Sequence, residues 1–276
     1  MSIAQSTPIE RVDCAIDRYP DGRTAASKGS GSESRETTLP VNAISGWGSS
    51  EVASRVLTMP EQRQVFQRQL DDIDARVIEL LDLVAADLAR AASALPNGNN
   101  EVVKVLAEHR LVIDIYCPEV EKLTKTAILL QAPVASDLRF LLCVLRILPE
   151  IERSQHLVVQ LASRTSHIRG EDLSSRGRDL VERMGNLASE MWNRTADSWY
   201  QRDESAAAVL ADRDNEMNEL HSSLIAELSS GRTALAVTIE MTLVAPLYER
   251  LSDHAVNIAD QVIYIAGLGP SVVVRN

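Results

Sequence analysis

PEIERSQHLVVQLA spans residues 149–162, and PLYERLSDHAVNIA spans residues 246–259. The two stretches align without a gap at an offset of 97 residues. The proline, the Glu-Arg pairs 152–153 and 249–250, the valines 159 and 256 and the closing alanine coincide. A repeat of this length marks a duplicated structural unit, so the fold has two similar halves. Positions at which the copies differ then carry information. The second copy sets Glu249 and Asp253 four residues apart, and the first has His156 where the second has that aspartate.

The rest of the chain agrees with a helical unit. Hydrophobic residues make up 45% of the 276 and aromatic residues only 4%. Long Ala, Leu and Val runs carry Glu, Arg and Asp between them, a mixture that favours helices over strands. Six helical segments are predicted, at about 61–94, 101–131, 134–165, 172–200, 204–229 and 232–267. In the first, Phe66, Leu70, Ile73, Val77, Leu80, Val84 and Leu88 recur at spacings of four and three, which is one apolar face. Pro118 is expected to bend or interrupt the second helix, and Pro149 and Pro246 fall at matching points inside the third and sixth. Helices of about 30 residues run about 45 Å. Short turns between them imply antiparallel bundles. The expected fold is all-α: two tandem antiparallel three-helix bundles, at 59–168 and 169–276, related by internal pseudo-symmetry. Residues 1–58 hold the polar stretch DGRTAASKGSGSESRETT, which has no apolar period and reads as a disordered N-terminal extension. Met59 is an alternative start of the natural chain.

The net charge of −11 repels phosphate backbones and anionic leaflets, which argues against nucleic acid or bare membrane as a direct partner. No apolar run approaches the roughly 18 residues of a spanning helix. Glu10, Arg11 and Asp13 stand where a signal peptide would carry its apolar region. Cys14, Cys117 and Cys143 are scattered and odd in number, which fits a reducing compartment. The expected location is cytoplasmic.

The candidate chemistry is acidic. Glu249 and Asp253, at i and i+4, share a helical face, with His254, Asn257 and Asp260 near the same stripe. The fifth helix supplies Asp212, Asp214, Glu216, Asn218 and Glu219, of which Asp214 and Asn218 are again four apart, and the fourth adds Asp197. Packed antiparallel, these pairs would face each other across a groove. Such oxygen ligands suit Mg²⁺, Mn²⁺ or iron. The first half offers a thinner set: Asp114, Glu121, Glu150 and Glu152, with His156 for the aspartate and Gln160 for the asparagine. Imidazole can ligate metal, but the plainer reading is a lost or weakened site. Everywhere the alternative is a solvated acidic face, with Arg213 and Arg250 neutralising the pairs as surface salt bridges of little worth. There is no Glu-x-x-His, H-E-x-x-H, P-loop or G-x-S-x-G. Met184, Met191 and Met217 sit at core spacing, and Trp192 and Trp199, seven apart, read as core or an interface seam.

Three blocks carry a resemblance. LQAPVASDLRF (residues 130–140), ERLSDHAVNIAD (249–260) and MPEQRQVFQRQLDDIDARVIEL (59–80) resemble the PhoU family, in the family's order and over residues 59–268. The resemblance implies two three-helix bundles and a cytoplasmic negative regulator of phosphate uptake and phosphate-starvation signalling. It implies an adaptor between the phosphate ABC transporter's ATPase subunit and a membrane sensor histidine kinase, peripheral to the membrane through these partners, with a homodimer compatible. It also implies a metal-binding E(D)-x-x-x-D motif in each repeat. Glu249 and Asp253 match that motif in full. In the first repeat only Glu152 matches, and His156 departs from it. Asp214 and Asn218 fall at the family's helix-borne acidic positions, with Asn218 an amide where aspartate is usual. The metal, Mg, Mn, Fe or Zn, is left open. A non-enzymatic adaptor is the leading reading. The alternatives are a metal-storing or metal-sensing bundle, and a metal-assisted phosphohydrolase, which would lack a cationic clamp for its substrate.

Overall fold

The computed structural model describes residues 59–94, 100–166, 168 and 172–267; the expected disordered extension at 1–58 lies outside them. Among the described residues six helices follow in order: α1 (Met59–Ala94), α2 (Asn100–Gln131), α3 (Ala135–Thr165), α4 (Ser175–Gln201), α5 (Ala206–Leu228) and α6 (Leu235–Ala266). α1, α2 and α3 pack on one another, as do α4, α5 and α6. The two bundles meet where α1 packs on α4 and α3 on α6.

The periodic apolar residues explain this arrangement. Ile73, Val77, Leu80, Val84 and Leu88 are buried on α1, and Leu180, Met184, Leu187 and Met191 on α4. Burying each such side chain contributes about 1.5–3 kcal/mol. One apolar core runs through both bundles and includes Met217, Trp192 and Trp199. Trp192 Nε1–H donates to the Leu251 carbonyl on α6 at 2.9 Å, so this indole is a core residue with its polar edge satisfied. Trp199 sits in the seam between bundles and donates to Asp74 Oδ1 on α1 at 2.8 Å.

Arg202, which ends α4, takes the left-handed conformation at φ 56° without being glycine. Its side chain offsets that strain. The guanidinium donates to the Trp199 carbonyl at 2.9 Å and to Asp74 Oδ2 at 2.6 Å, and it lies 4.9 Å from the Trp199 ring centroid. At the other end of α4, Ser174 Oγ accepts from the Gly177 N–H at 3.0 Å and donates to Glu227 Oε1 at 2.8 Å, which ties the cap to the end of α5.

The duplication is visible in space. Cys143 on α3 donates its thiol to the Gln261 carbonyl on α6 at 3.4 Å, and Arg164 on α3 donates to Glu240 Oε2 on α6 at 3.3 Å. The sequence offset of 97 residues turns the first contact into the second with the helices exchanged. α3 and α6 are therefore antiparallel about a pseudo-twofold axis. Pro118, Pro149 and Pro246 lie inside α2, α3 and α6, and none interrupts its helix. Each removes the N–H that would bond the carbonyl four residues earlier, at Asp114, Leu145 and Thr242. Among the described residues no helix is long and apolar enough to cross a membrane.

Candidate metal centre

α2 and α3 are joined by three residues, 132–134, between left-handed Ala132 (φ 44°) and Ala135 (φ 50°). This tight reversal lays the two helices side by side and brings Asp114 of α2 against the i, i+4 pair Glu152 and His156 of α3. One ligand atom from each of the three residues lies within 4.8 Å of the others. Among the described residues this is the one set of three His, Cys, Asp or Glu groups so gathered. His156 Nε2 stands 3.4 Å from Asp114 Oδ1. The side chains are 36% and 34% exposed, so solvent reaches the site. The two facing atoms are nevertheless buried, and neither has a hydrogen-bond partner. Such atoms are costly to bury unless something satisfies them. Arg110 Nε lies 3.5 Å from Asp114 Oδ2 as an ion pair, without a hydrogen bond.

Beneath the site α3 is pinned from the core. Gln155 Nε2 donates to Asp87 Oδ2 at 2.7 Å. Asp87 Oδ1 lies 2.8 Å from His109 Nδ1 and accepts from Arg90 at 3.2 Å. Asp87 is fully buried, and these three side chains satisfy its two oxygens. This network joins α1, α2 and α3 next to His156 and holds the imidazole's helix in register. Cys117, one turn from Asp114, is buried; burial pushes its thiol up to about 12, aided by the nearby charges of Glu152 and Asp114. A neutral thiol is thereby kept beside the carboxylates.

The second repeat is arranged differently. His221 Nδ1 of α5 lies 2.9 Å from Glu249 Oε2 of α6, so this carboxylate already has a partner. Asp253 is half-buried one turn on, Asp214 is buried, and Asn218 is exposed. Other acidic candidates are engaged elsewhere. Glu121 pairs with Lys125 at 2.6 Å, and Glu216 accepts from Arg213 at 2.8 Å. Glu150 contacts Arg153 and, across the seam between bundles, His254. Burial alone would raise the Glu150 carboxyl; His254 and Arg153 outweigh it and hold the group below its ordinary range. Asp197, Asp212, Glu219, Gln160 and Asn257 are exposed. The donor set thus forms in the repeat that the sequence reading expected to be weaker. That reading missed His221, although its place three residues after Asn218 was legible, and it missed Asp87 and His109, whose contacts span more than 20 residues of chain.

The family model described as PhoU domain matches residues 77–165 and again 181–262. The phosphate-specific transport system accessory protein PhoU homolog 1 of Mycobacterium tuberculosis (strain ATCC 25618 / H37Rv) is 28% identical over 214 residues, covering 76% of this chain and 96% of that protein. The crystal structure of PhoU from Pseudomonas aeruginosa superposes with a TM-score of 0.69 at 22% identity, over 74% of this chain and all of that one. That of the phosphate transport system regulatory protein PhoU from Streptococcus pneumoniae gives 0.67 at 19% identity, over 74% of this chain and 98% of that one. At these identities the two structures speak to the fold alone.

Proposed function

With its domain model matched once in each half, this chain belongs to the PhoU family, and from that premise we propose that it is an accessory regulator of a phosphate transport system. In this reading it acts by docking rather than by turnover. It restrains phosphate uptake and the starvation response by linking the transporter's ATPase subunit to a membrane sensor histidine kinase. The observation that carries the reading is the paired domain match in the family's order, supported by a mycobacterial relative named as an accessory protein of phosphate-specific transport. The two docking units are the bundles at 59–168 and 169–276. A net charge of −11 favours basic partner surfaces. The chain works at the inner face of the membrane through its partners, as a monomer or homodimer.

We further propose that Asp114, Glu152 and His156 hold a metal ion through two carboxylates and one imidazole. The buried Asp114 Oδ1 and His156 Nε2, close to each other but without a hydrogen bond, favour this reading. A bound ion would satisfy both atoms and cross-link α2 to α3, acting as a structural charge rather than a reaction centre. Glu249 and Asp253, with Asp214 and Asn218 nearby, form the weaker counterpart.

The test is affinity capture of the full-length chain from phosphate-replete host cells, with bound proteins identified by mass spectrometry. Recovery of the phosphate transporter's ATPase or a sensor kinase supports the adaptor. Turnover of a phosphoester that depends on Glu152 would overturn the non-enzymatic reading.

A further inference from the structure

Building on the proposal that the triad of the first repeat holds an ion, we infer that this centre selects a borderline transition ion of the zinc class and rejects magnesium. The argument rests on His156. At the offset of the repeat the second copy has Asp253 in its place. Where the i, i+4 pair of the second copy is two carboxylates, that of the first is therefore a carboxylate and an imidazole. Magnesium demands a near-octahedral shell of oxygens and sheds its waters reluctantly. Imidazole instead suits zinc, iron and nickel.

Geometry points the same way. Two donors sharing a tetrahedral ion at about 2.0–2.2 Å each stand about 3.3–3.6 Å apart. His156 Nε2 and Asp114 Oδ1 are 3.4 Å apart. That is wider than the roughly 2.7–2.9 Å of a closed charge-assisted hydrogen bond, and the two atoms make none. The Asp87–Gln155 contact holds α3 in this register one residue before the imidazole, so the spacing is built into the fold. In the second repeat, by contrast, the imidazole of His221 lies against Glu249 at 2.9 Å, within ordinary hydrogen-bond distance.

Full-length protein stripped of metal by a chelator would be titrated calorimetrically with zinc chloride, alone and against millimolar magnesium chloride. The same titrations would be run on His156→Asp, Glu152→Gln and Asp114→Asn, each checked for helicity by circular dichroism. The expected result is zinc binding to wild type that magnesium does not displace. His156→Asp is expected to weaken zinc at least about tenfold and to let magnesium compete. Zinc displaced by magnesium in wild type, or an unchanged zinc-to-magnesium ratio in His156→Asp, overturns the selectivity but leaves the triad as a metal centre. Zinc binding indifferent to both Glu152→Gln and Asp114→Asn overturns the metal centre itself, and the selectivity with it.

Discussion

The two repeats share a proline, a Glu-Arg pair and a helix-long register, yet they set their polar side chains differently. In the first, Asp114, Glu152 and His156 converge, with two facing atoms buried and not hydrogen-bonded. In the second, His221 lies hydrogen-bond close to Glu249. Part of the difference is one substitution, histidine for aspartate. The rest is register. Three residues join α2 to α3, whereas six join α5 to α6. The facing helix accordingly presents Asp114 to the Glu152 pair in the first repeat and His221 to Glu249 in the second. The cores differ too. Gln155 reaches buried Asp87, but Ser252, its equivalent at the repeat offset, bonds the Tyr248 carbonyl of its own helix at 3.1 Å. A duplicated scaffold thus keeps its apolar core while its polar sites diverge.

The strongest way to break this comparison is to disarm each repeat in turn. Glu152→Gln with Asp114→Asn is expected to lower zinc affinity by roughly 100-fold or more, while Glu249→Gln with Asp253→Asn leaves the tight binding in place. Metal analysis after identical purification reads the difference, and equal losses would show the repeats to be equivalent.

The cores give a second contrast. Asp87→Ala strands Gln155, His109 and Arg90 and should cost roughly 3 kcal/mol, against about 1 kcal/mol for Ser252→Ala. Denaturant titration of both variants measures this, and similar losses would remove the asymmetry.

Gly185→Ala tests whether the bundles act as one body. A Cβ on Gly185 of α4 would meet the Ala92 Cβ of α1 at 2.9 Å. The helices must part, at a cost of about 1–3 kcal/mol. A single shifted thermal transition is expected; two separate transitions would mean that the repeats unfold independently.

The smallest effect lies at Cys143 in the seam. Burial pushes its thiol up to about 12 from an ordinary 9.0, with Arg146, Arg202 and Arg139 offsetting only part of the shift. The unfolded chain therefore releases this proton first. Stability should fall as pH rises from about 9 toward 12. In Cys143→Ala that slope should flatten, as read by pH-dependent melting; an unchanged slope would place the alkaline loss elsewhere.

Six helices, their order and their pairing into two bundles were legible because apolar residues at spacings of three and four commit a segment to one buried face. The prolines were less legible. Pro118 marks a break on local grounds, but α2 continues through it because one lost hydrogen bond is small beside the packing of Ile113, Cys117 and Val120. The members of the first-repeat triad were individually visible as Asp114, Glu152 and His156. Their convergence was not, since sequence spacing fixes neighbours on one helix and says nothing of what a second helix brings opposite. His109 and Asp87 were invisible for the same reason.

By itself, then, the sequence determined the helices, the duplication and the family, all of which follow from periodicity and from matching blocks in order. Only the tertiary structure decided which repeat gathers two carboxylates and an imidazole. That outcome depends on the register of antiparallel helices, to which core polar contacts such as Gln155–Asp87 contribute, and on which polar atoms are left buried without a hydrogen bond.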